Sequence, residues 1–472
     1  MASYSFKKQV LPLLIKAAIG LGLGILVALI RVWAPSFVES VDHLTTDYRY
    51  QARYERQKAA ADWWNPKEQA SVVIIGIGEG DSKAMPVAFP YPRWYYAHLI
   101  ENLEHAGARA IALDITFDEA RDSASDATLD AVLSKYDNVI LGAKIDESTG
   151  GGMYNISTIE RSYGNVFYKP GRRVGITSIA GKDRDDVVRR YLPMMTVGNF
   201  LTPTFGFAAL NITFGFPDTA VADIESGSIV LGSRSIPMID GRSFLLNYYG
   251  PDHSFRYIDF LNVIDDSTFK TKDEITYETD INNFDESQQN LVKGKIVLVG
   301  STMPEERDYH QTPIANNEGS HTMNGVEIHA TAIQNILDQN YIRRADPTVE
   351  LSLILFLALV SFLVILRVRQ IKVRYVVLLE VASVVIVAAF IFAVFEIGIR
   401  SFMNSNLLLN IVYPSLAVVF AYLGAAVYQY LAERQQKALI KNVFSKYISA
   451  AVVNELVANP EKAKLGGDRR EL

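Results

Sequence analysis

Apolar positions along the chain follow two patterns. Long uncharged runs lie near the amino terminus and in the last third, whereas the middle holds short β-branched runs bounded by turn residues. A helix crossing a bilayer core needs about 20 apolar residues. Four stretches reach that length, at residues 10–34, 349–368, 375–396 and 406–430. Lys16 interrupts the first only near its start, where a long side chain can reach the interface. Lys7 and Lys8 precede this stretch, and Arg367, Arg369, Lys372 and Arg374 fill the turn between the second and third. Basic flanks favour the cytoplasmic side. Residues 1–9 and 431–472 are therefore expected inside the cell, and residues 35–346 outside the inner (plasma) membrane, in the periplasm or beyond. A cleaved signal peptide has a similar basic and apolar start. The lack of an A-x-A site, and Pro35 directly after Ala34, favour an uncleaved anchor.

In the middle region, 72–77, 110–115, 138–143 and 295–299 have the short apolar form of buried strands. Residues 95–105, 127–133 and 324–337 have helical spacing, with Leu99, Ile100 and Leu103 on one face of the first. Strands alternating with helices predict a parallel sheet covered on both faces. Residues 147–186 and 265–289 are polar and are expected as surface excursions. Residues 228–237 and 244–249 look like edge strands or a hairpin. The predicted architecture is thus an α/β exterior domain with a parallel-rich sheet. An all-α transmembrane bundle of one plus three helices and a cytoplasmic, coiled-coil-like helix complete it.

Composition narrows the chemistry. With no Cys among 472 residues, disulfides, thiolate catalysis and cysteine-ligated metals are excluded. A net charge of -6 gives no basic footprint for nucleic acid. His310, His321 and His329, with Asp308 and Glu327, offer imidazole and carboxylate ligands, but their spacing matches no compact metal motif, so hydrogen bonding and capping stand beside metal binding as their role. Asp114 and Asp118 close a predicted strand, where open α/β sheets bind ligands. Ser301 has no base partner in the sequence pattern. Gly76-Ile77-Gly78-Glu79-Gly80 superficially suggests a dinucleotide loop, yet Pro86, Pro90 and Pro92 intervene where a helix should open. Glu380 sits one turn into a span, where a carboxylate suggests function; it is also close enough to the cytoplasmic end to snorkel or pair with Arg374.

Several motifs in order carry a resemblance. They are Phe89-Pro90-Tyr91-Pro92-Arg93, the run from Gly107 to Asp114 with Phe117, Leu246-Asn247-Tyr248-Tyr249-Gly250, the run from Gly294 to Ser301, Asp308-Tyr309-His310-Gln311-Thr312-Pro313, and Gly325-Val326-Glu327-Ile328-His329-Ala330. With Asp47-Tyr48-Arg49 at its start, this set resembles the second type of the CHASE family of extracellular sensors over most of residues 41–345. The family usually shows an acidic pair after the first strand, and only Glu79 and Asp81 can fill it. The resemblance implies a binding module whose ligand is an unknown extracellular molecule or periplasmic protein. Glu79, Arg93, Asp114, Asp118, Asp308, His310 and His329 are its ligand-binding candidates.

Beyond the last span, Ile440, Phe444, Tyr447 and Ala451 recur at steps of four, three and four. That narrow stripe suits the seam of a parallel homodimer; Lys437, Lys441 and Lys446 also allow a helix lying on the membrane. Glu380 and these four residues are the expected signal-coupling positions. Phe444-Ser445-Lys446-Tyr447-Ile448, Val452-Val453, Leu456, Pro460-Glu461 and the run from Leu465 to Glu471 resemble the lead-in to class III adenylate and guanylate cyclases. Ala450 departs from that family, which often has Ser-Pro after the Tyr-Val step. The resemblance implies a parent making cyclic AMP from ATP with Mg²⁺ or Mn²⁺, in a catalytic domain expected after Leu472. No catalytic residue, metal ligand or cofactor is expected in this chain, which should be inactive alone. Two other functions stay open: a receptor kinase sensor, although no His follows His329, and a transport component, suggested by Glu380 with Asn404, Asn406 and Asn410.

Overall fold

In the computed structural model, which describes residues 11–144, 164–197, 200–306, 308–371 and 376–444, the chain forms two units. One holds residues 44–344 with 402–408; the other holds the apolar helices.

The first unit is built on a six-stranded parallel sheet. Its strands are β1 (Val72–Ile77), β2 (Ala110–Asp114), β3 (Val139–Ala143), β4 (Arg173–Ile176), β5 (Arg256–Asp259) and β6 (Ile296–Ser301), in the order β5-β1-β6-β2-β3-β4. Strand side chains alternate between faces, and both faces are apolar here. Val72, Ile74, Ala110, Ala112, Ile296 and Leu298 pack on one side with Ile328, Ala332, Ile333 and Ile336 of helix Gly325–Leu337 and with helix Phe205–Phe214. Val73, Ile75, Ile111, Leu113, Val297 and Val299 pack on the other with Leu99, Ile100 and Leu103 of helix Arg93–His105 and with Leu129, Val132 and Leu133 of helix Ser123–Lys135. The result is a three-layer α/β arrangement, in which removal of apolar area from water on both faces is the main stabilising term.

Three local expectations are corrected. Strand β4 lies within 147–186, taken as a surface excursion, because Val174 and Ile176 pack against Ala143 and Val197. The polar stretch 265–289 contains helices Lys272–Tyr277 and Glu286–Val292, anchored by buried Phe269 and Phe284. Residues 228–237 do form a hairpin, Ser228–Leu231 against Arg234–Pro237, but the strand at 244 is only Phe244–Leu245, pairing with Arg190–Tyr191.

In the second unit, four helices are long and apolar enough to cross a membrane: Leu11–Trp33, Pro347–Arg369, one ending at Ser405 and one starting at Val412. Gly20 and Gly24, one turn apart, let the first helix approach the second closely. A Cβ at Gly24 would stand 3.0 Å from a Leu355 methyl and 3.1 Å from that of Ala358, the small-residue packing that membrane helices use. Glu350 is buried, forms an ion pair with Arg31 and accepts from the Asn410 N–H at 3.2 Å. Glu380 pairs with Arg369 at 2.5 Å and also accepts a 3.5 Å bond from the Tyr422 hydroxyl. Arg374 lies outside the described residues. The last helix, Val412–Phe444, begins where the Asn410 side chain accepts from the Val412 and Tyr413 N–H groups. Ile440 and Phe444 belong to this helix; Tyr447 and Ala451 lie outside the described residues.

Candidate functional site

The carboxyl ends of β2, β3, β4 and β6 meet a short hairpin and the start of helix Gly325–Leu337. Chain order explains the meeting. Strand β6 runs into a turn at Pro304–Glu306, Asp308 follows, and Tyr309–Gln311 pairs antiparallel with Thr322–Asn324 directly ahead of the helix. Gly325 is required at that join, since a Cβ there would overlap the Asp308 carboxylate.

Four of the sequence candidates converge at this edge. His310 Nε2 stands 3.2 Å from Asp308 Oδ1, and the Asp308 charge is felt by both Asp114 and His329. Burial, followed by the Asp308 charge, raises the Asp114 carboxyl well above the usual range. Asp308 is itself held low by His310, His329 and Lys144, which together outweigh its burial. The two carboxyls are thus pushed in opposite directions, the usual outcome for close carboxylates. His310 Nδ1 is buried with no hydrogen-bond partner among the described residues.

His329 is locked in one tautomer. Its Nε2 lies 3.1 Å from the Thr177 carbonyl oxygen, which can only accept, so Nε2 carries the proton. Nδ1, 2.6 Å from the Tyr191 hydroxyl, therefore accepts the Tyr191 O–H, and Tyr191 in turn accepts from the Gly206 N–H at 3.0 Å. A proton on Nδ1 would oppose that hydroxyl. Burial is the main reason that the imidazole is pushed down to about 4. The sign follows from proton binding. Between about pH 6.5 and 4 the unfolded chain takes up a proton that folded His329 refuses, so the stabilisation is complete above 6.5 and is lost as pH falls through that window. The loss is roughly 3 kcal/mol at most, from about 1.4 kcal/mol per pH unit. Thermal midpoints of wild type and His329→Gln across pH 4–7 should diverge, with wild type losing more on acidification. Parallel curves would refute this tautomer lock.

Other candidates lie elsewhere. Glu79 is exposed and pairs with Lys83 at 3.6 Å on its own helix. Arg93 is buried with its guanidinium 4.4 Å from the Phe117 ring centroid, and it interacts with Asp126 and Asp118. It serves as a packing clamp, and Asp118 belongs with it. His321 bonds the Thr312 carbonyl. A helix, Glu79–Ala84, does open directly after Gly78, contrary to expectation. However, the Asp81 carboxylate accepts the Gly78 N–H at 2.7 Å and the Leu261 N–H at 2.8 Å, occupying the place a phosphate would take. Ser301 Oγ accepts from the Met303 N–H and has no imidazole partner among the described residues.

Asp252, His253 and Glu327 lie close enough to share a cation. The carboxylate oxygens of Glu327 and Asp252 are already engaged. Glu327 accepts from the N–H groups of His253, Ser254 and Phe255 and from the Tyr257 hydroxyl, while Asp252 accepts from Asn324 and His253. This group clamps the 252–257 loop to the helix, and Glu327 is not part of the cluster at the sheet edge. Sequence reasoning missed Tyr191, Thr177 and Lys144. Each lies in an aperiodic segment or at a strand end without a motif, so only their spacing in three dimensions reveals them.

No curated protein and no solved structure matches the chain. The CHASE2 domain matches residues 23–366, most of the chain and all of the sheet described above. The protein therefore belongs to the CHASE2 family, whose domain is an extracellular sensor found in signalling proteins.

Proposed function

We propose that the chain is the sensing and membrane-spanning part of a receptor that couples an extracytoplasmic signal to a class III nucleotide cyclase of the adenylate type. The observation that carries this reading is a CHASE2 unit joined in sequence to four apolar helices, the last of which outruns a bilayer. Its 33 residues extend about 50 Å at 1.5 Å each, against a core of about 30 Å. The last turns of that helix are polar, from Glu433 to Lys441, and suit passage of a conformational change into the cytoplasm within a parallel homodimer seamed at Ile440, Phe444, Tyr447 and Ala451. The likeness of residues 444–471 to the cyclase lead-in supports the type of output. Two-metal nucleotide cyclisation, with Mg²⁺ or Mn²⁺ and ATP, is assigned to the output module.

The absence of Cys makes the topology directly testable. Ser287→Cys and Lys437→Cys change exposed positions. In intact cells a membrane-impermeant maleimide should label the first without permeabilisation and the second only after it. Protection of Ser287→Cys would overturn the outward placement of the sensor. The intact mass of the natively produced protein, together with cellular cyclic AMP in its presence and absence, tests the output. A native chain without a further domain's worth of residues, roughly 100–200, counts against the cyclase assignment.

A further inference from the structure

A cleft of about 550 Å³ opens in the sensor unit, away from the sheet-edge cluster, lined by Trp63, Trp64, Tyr249, Asn247, Asn340 and Asn406 among others. That volume is within the range of small-molecule sites, roughly 300–1,000 Å³. Its floor is a one-way chain of hydrogen bonds. Arg53 donates to the side-chain oxygens of Asn247 and Asn406; their amide nitrogens donate to Asn340 Oδ1 at 2.9 and 2.7 Å. Asn340 bonds the Tyr249 hydroxyl, which donates to Asp338 at 2.8 Å. Asn335 fixes Asn247 by bonding both its N–H, at 2.7 Å, and its carbonyl, at 2.9 Å. The amides are thus oriented before any ligand arrives, which lowers the ordering cost of binding.

Charge selects the ligand class. No Lys or Arg lines the cleft, whereas Asp62 and Asp338 do, which disfavours an anion. Arg53 is buried beneath the floor with no carboxylate in ion-pair contact among the described residues, its charge resting on two amides and the Phe402 ring, 4.4 Å away. That uncompensated charge disfavours a cation. Trp64 leans on Tyr249 with ring centroids 4.7 Å apart, forming a half-exposed aromatic platform instead of a closed cage. Aromatic faces take the C–H face of a sugar ring, and amides and carboxylates take its hydroxyls. We infer that this cleft binds a neutral, polyhydroxylated ligand of the saccharide class, stacked on Trp64 and Tyr249 and hydrogen-bonded by Asn340, Asn406, Asp62 and Asp338.

The position suits signalling, and this inference rests on the sensor reading above. Asn340 lies just before the chain leaves the sensor unit at Arg344, Asn406 lies within the 402–408 return, and Gln57 belongs to the helix Ser36–Lys58 that enters it. A ligand held here touches segments leading to every apolar helix.

The test uses the full chain in nanodiscs, probed with neutral hexoses, N-acetylhexosamines and disaccharides, and with tetramethylammonium and gluconate as charged controls. Two of the four Trp residues line the cleft. At least one neutral sugar is expected to change Trp fluorescence and raise the thermal midpoint, with affinity weakened about tenfold or more by Trp64→Ala. Asp62→Asn, an exposed change that leaves packing intact, should weaken it as well if Trp64→Ala fails to fold. No response to any neutral sugar, a response only to a charged control, or undiminished binding in Asp62→Asn overturns the inference. Cross-linking of Lys437→Cys between protomers separates the two readings. Sugar binding that leaves cross-linking unchanged upholds the site and refutes its signalling role; a cross-link that shifts with extracellular extract while no sugar binds upholds the sensor and refutes the site.

Discussion

Glu327→Ala should unfold the sensor unit more readily than any other single change in its polar core. The side chain is fully buried in the first turn of helix Gly325–Leu337, where it accepts from His253, Ser254 and Phe255 N–H at 2.6, 2.7 and 3.1 Å and from the Tyr257 hydroxyl at 3.0 Å. Alanine leaves those donors without this acceptor, with Phe255 buried and Ser254 and Tyr257 half-buried. At about 1–3 kcal/mol per unsatisfied group, the loss is on the order of 5 kcal/mol, a large part of a typical total of about 5–15 kcal/mol. A fall in the thermal midpoint of about 10 °C or more is expected. Glu327→Gln keeps one acceptor oxygen and should fall between alanine and wild type. A shift of under about 3 °C for alanine would show that the 252–257 loop holds itself. Burial, then the neighbouring Asp252, pushes the Glu327 carboxyl up to about 8. The folded state therefore keeps a proton that the unfolded chain releases from about pH 4.5, so this group weakens the fold as pH rises toward 8, opposite in sign to His329.

The second large effect is expected at Arg189. This guanidinium is 2% exposed and donates to Asp47 at 2.6 and 2.7 Å, to Asp183 at 2.9 Å and to Asp185 at 2.8 and 2.9 Å. Its three carboxylates tie the 183–191 segment to Asp47, in the helix that enters the sensor unit. Removing one partner of a buried pair leaves uncompensated charge, which costs about 3–5 kcal/mol. Arg190 still reaches Asp183, and Asp185 is partly exposed, so Arg189→Met should cost toward the lower end. Arg189→Lys should restore little, because one ammonium cannot serve several carboxylates with fork geometry. Urea midpoints of the three proteins decide the matter: full rescue by lysine would mean that charge alone, and not geometry, holds the segment.

How much of this could be read in advance differs between elements. Strands β1, β2, β3 and β6 were legible because each is flanked by turns and covered on both faces, which forces an unbroken apolar run. The edge strands β4 and β5 were not. Arg173, Arg256 and Asp259 lie on them, since an edge has one neighbour and tolerates polar positions. Helix Phe205–Phe214 is buried nearly all round, so it shows no amphipathic period to recognise.

The candidate site divides along the same line. Asp114, Asp308, His310 and His329 were found because they stand at strand ends or in motifs, where chain order places them near one another. Tyr191, which fixes the His329 tautomer, sits 138 residues from it, and no local pattern connects the two. Glu380 was recognised as anomalous, but its pairing with Arg369 shows only in the packing of the helices. The cleft was hidden for the same reason, since its walls come from helix ends, a return loop and the Asn247-Tyr248-Tyr249 step, each unremarkable alone. The sequence by itself determined the periodicities: the central strands covered on both faces, the helices apolar enough for a bilayer, and the family that the order of motifs follows. Those are properties of neighbours along the chain. Only the tertiary structure decided which polar groups meet, because hydrogen bonds and burial act over a few ångströms of space whatever the separation in sequence.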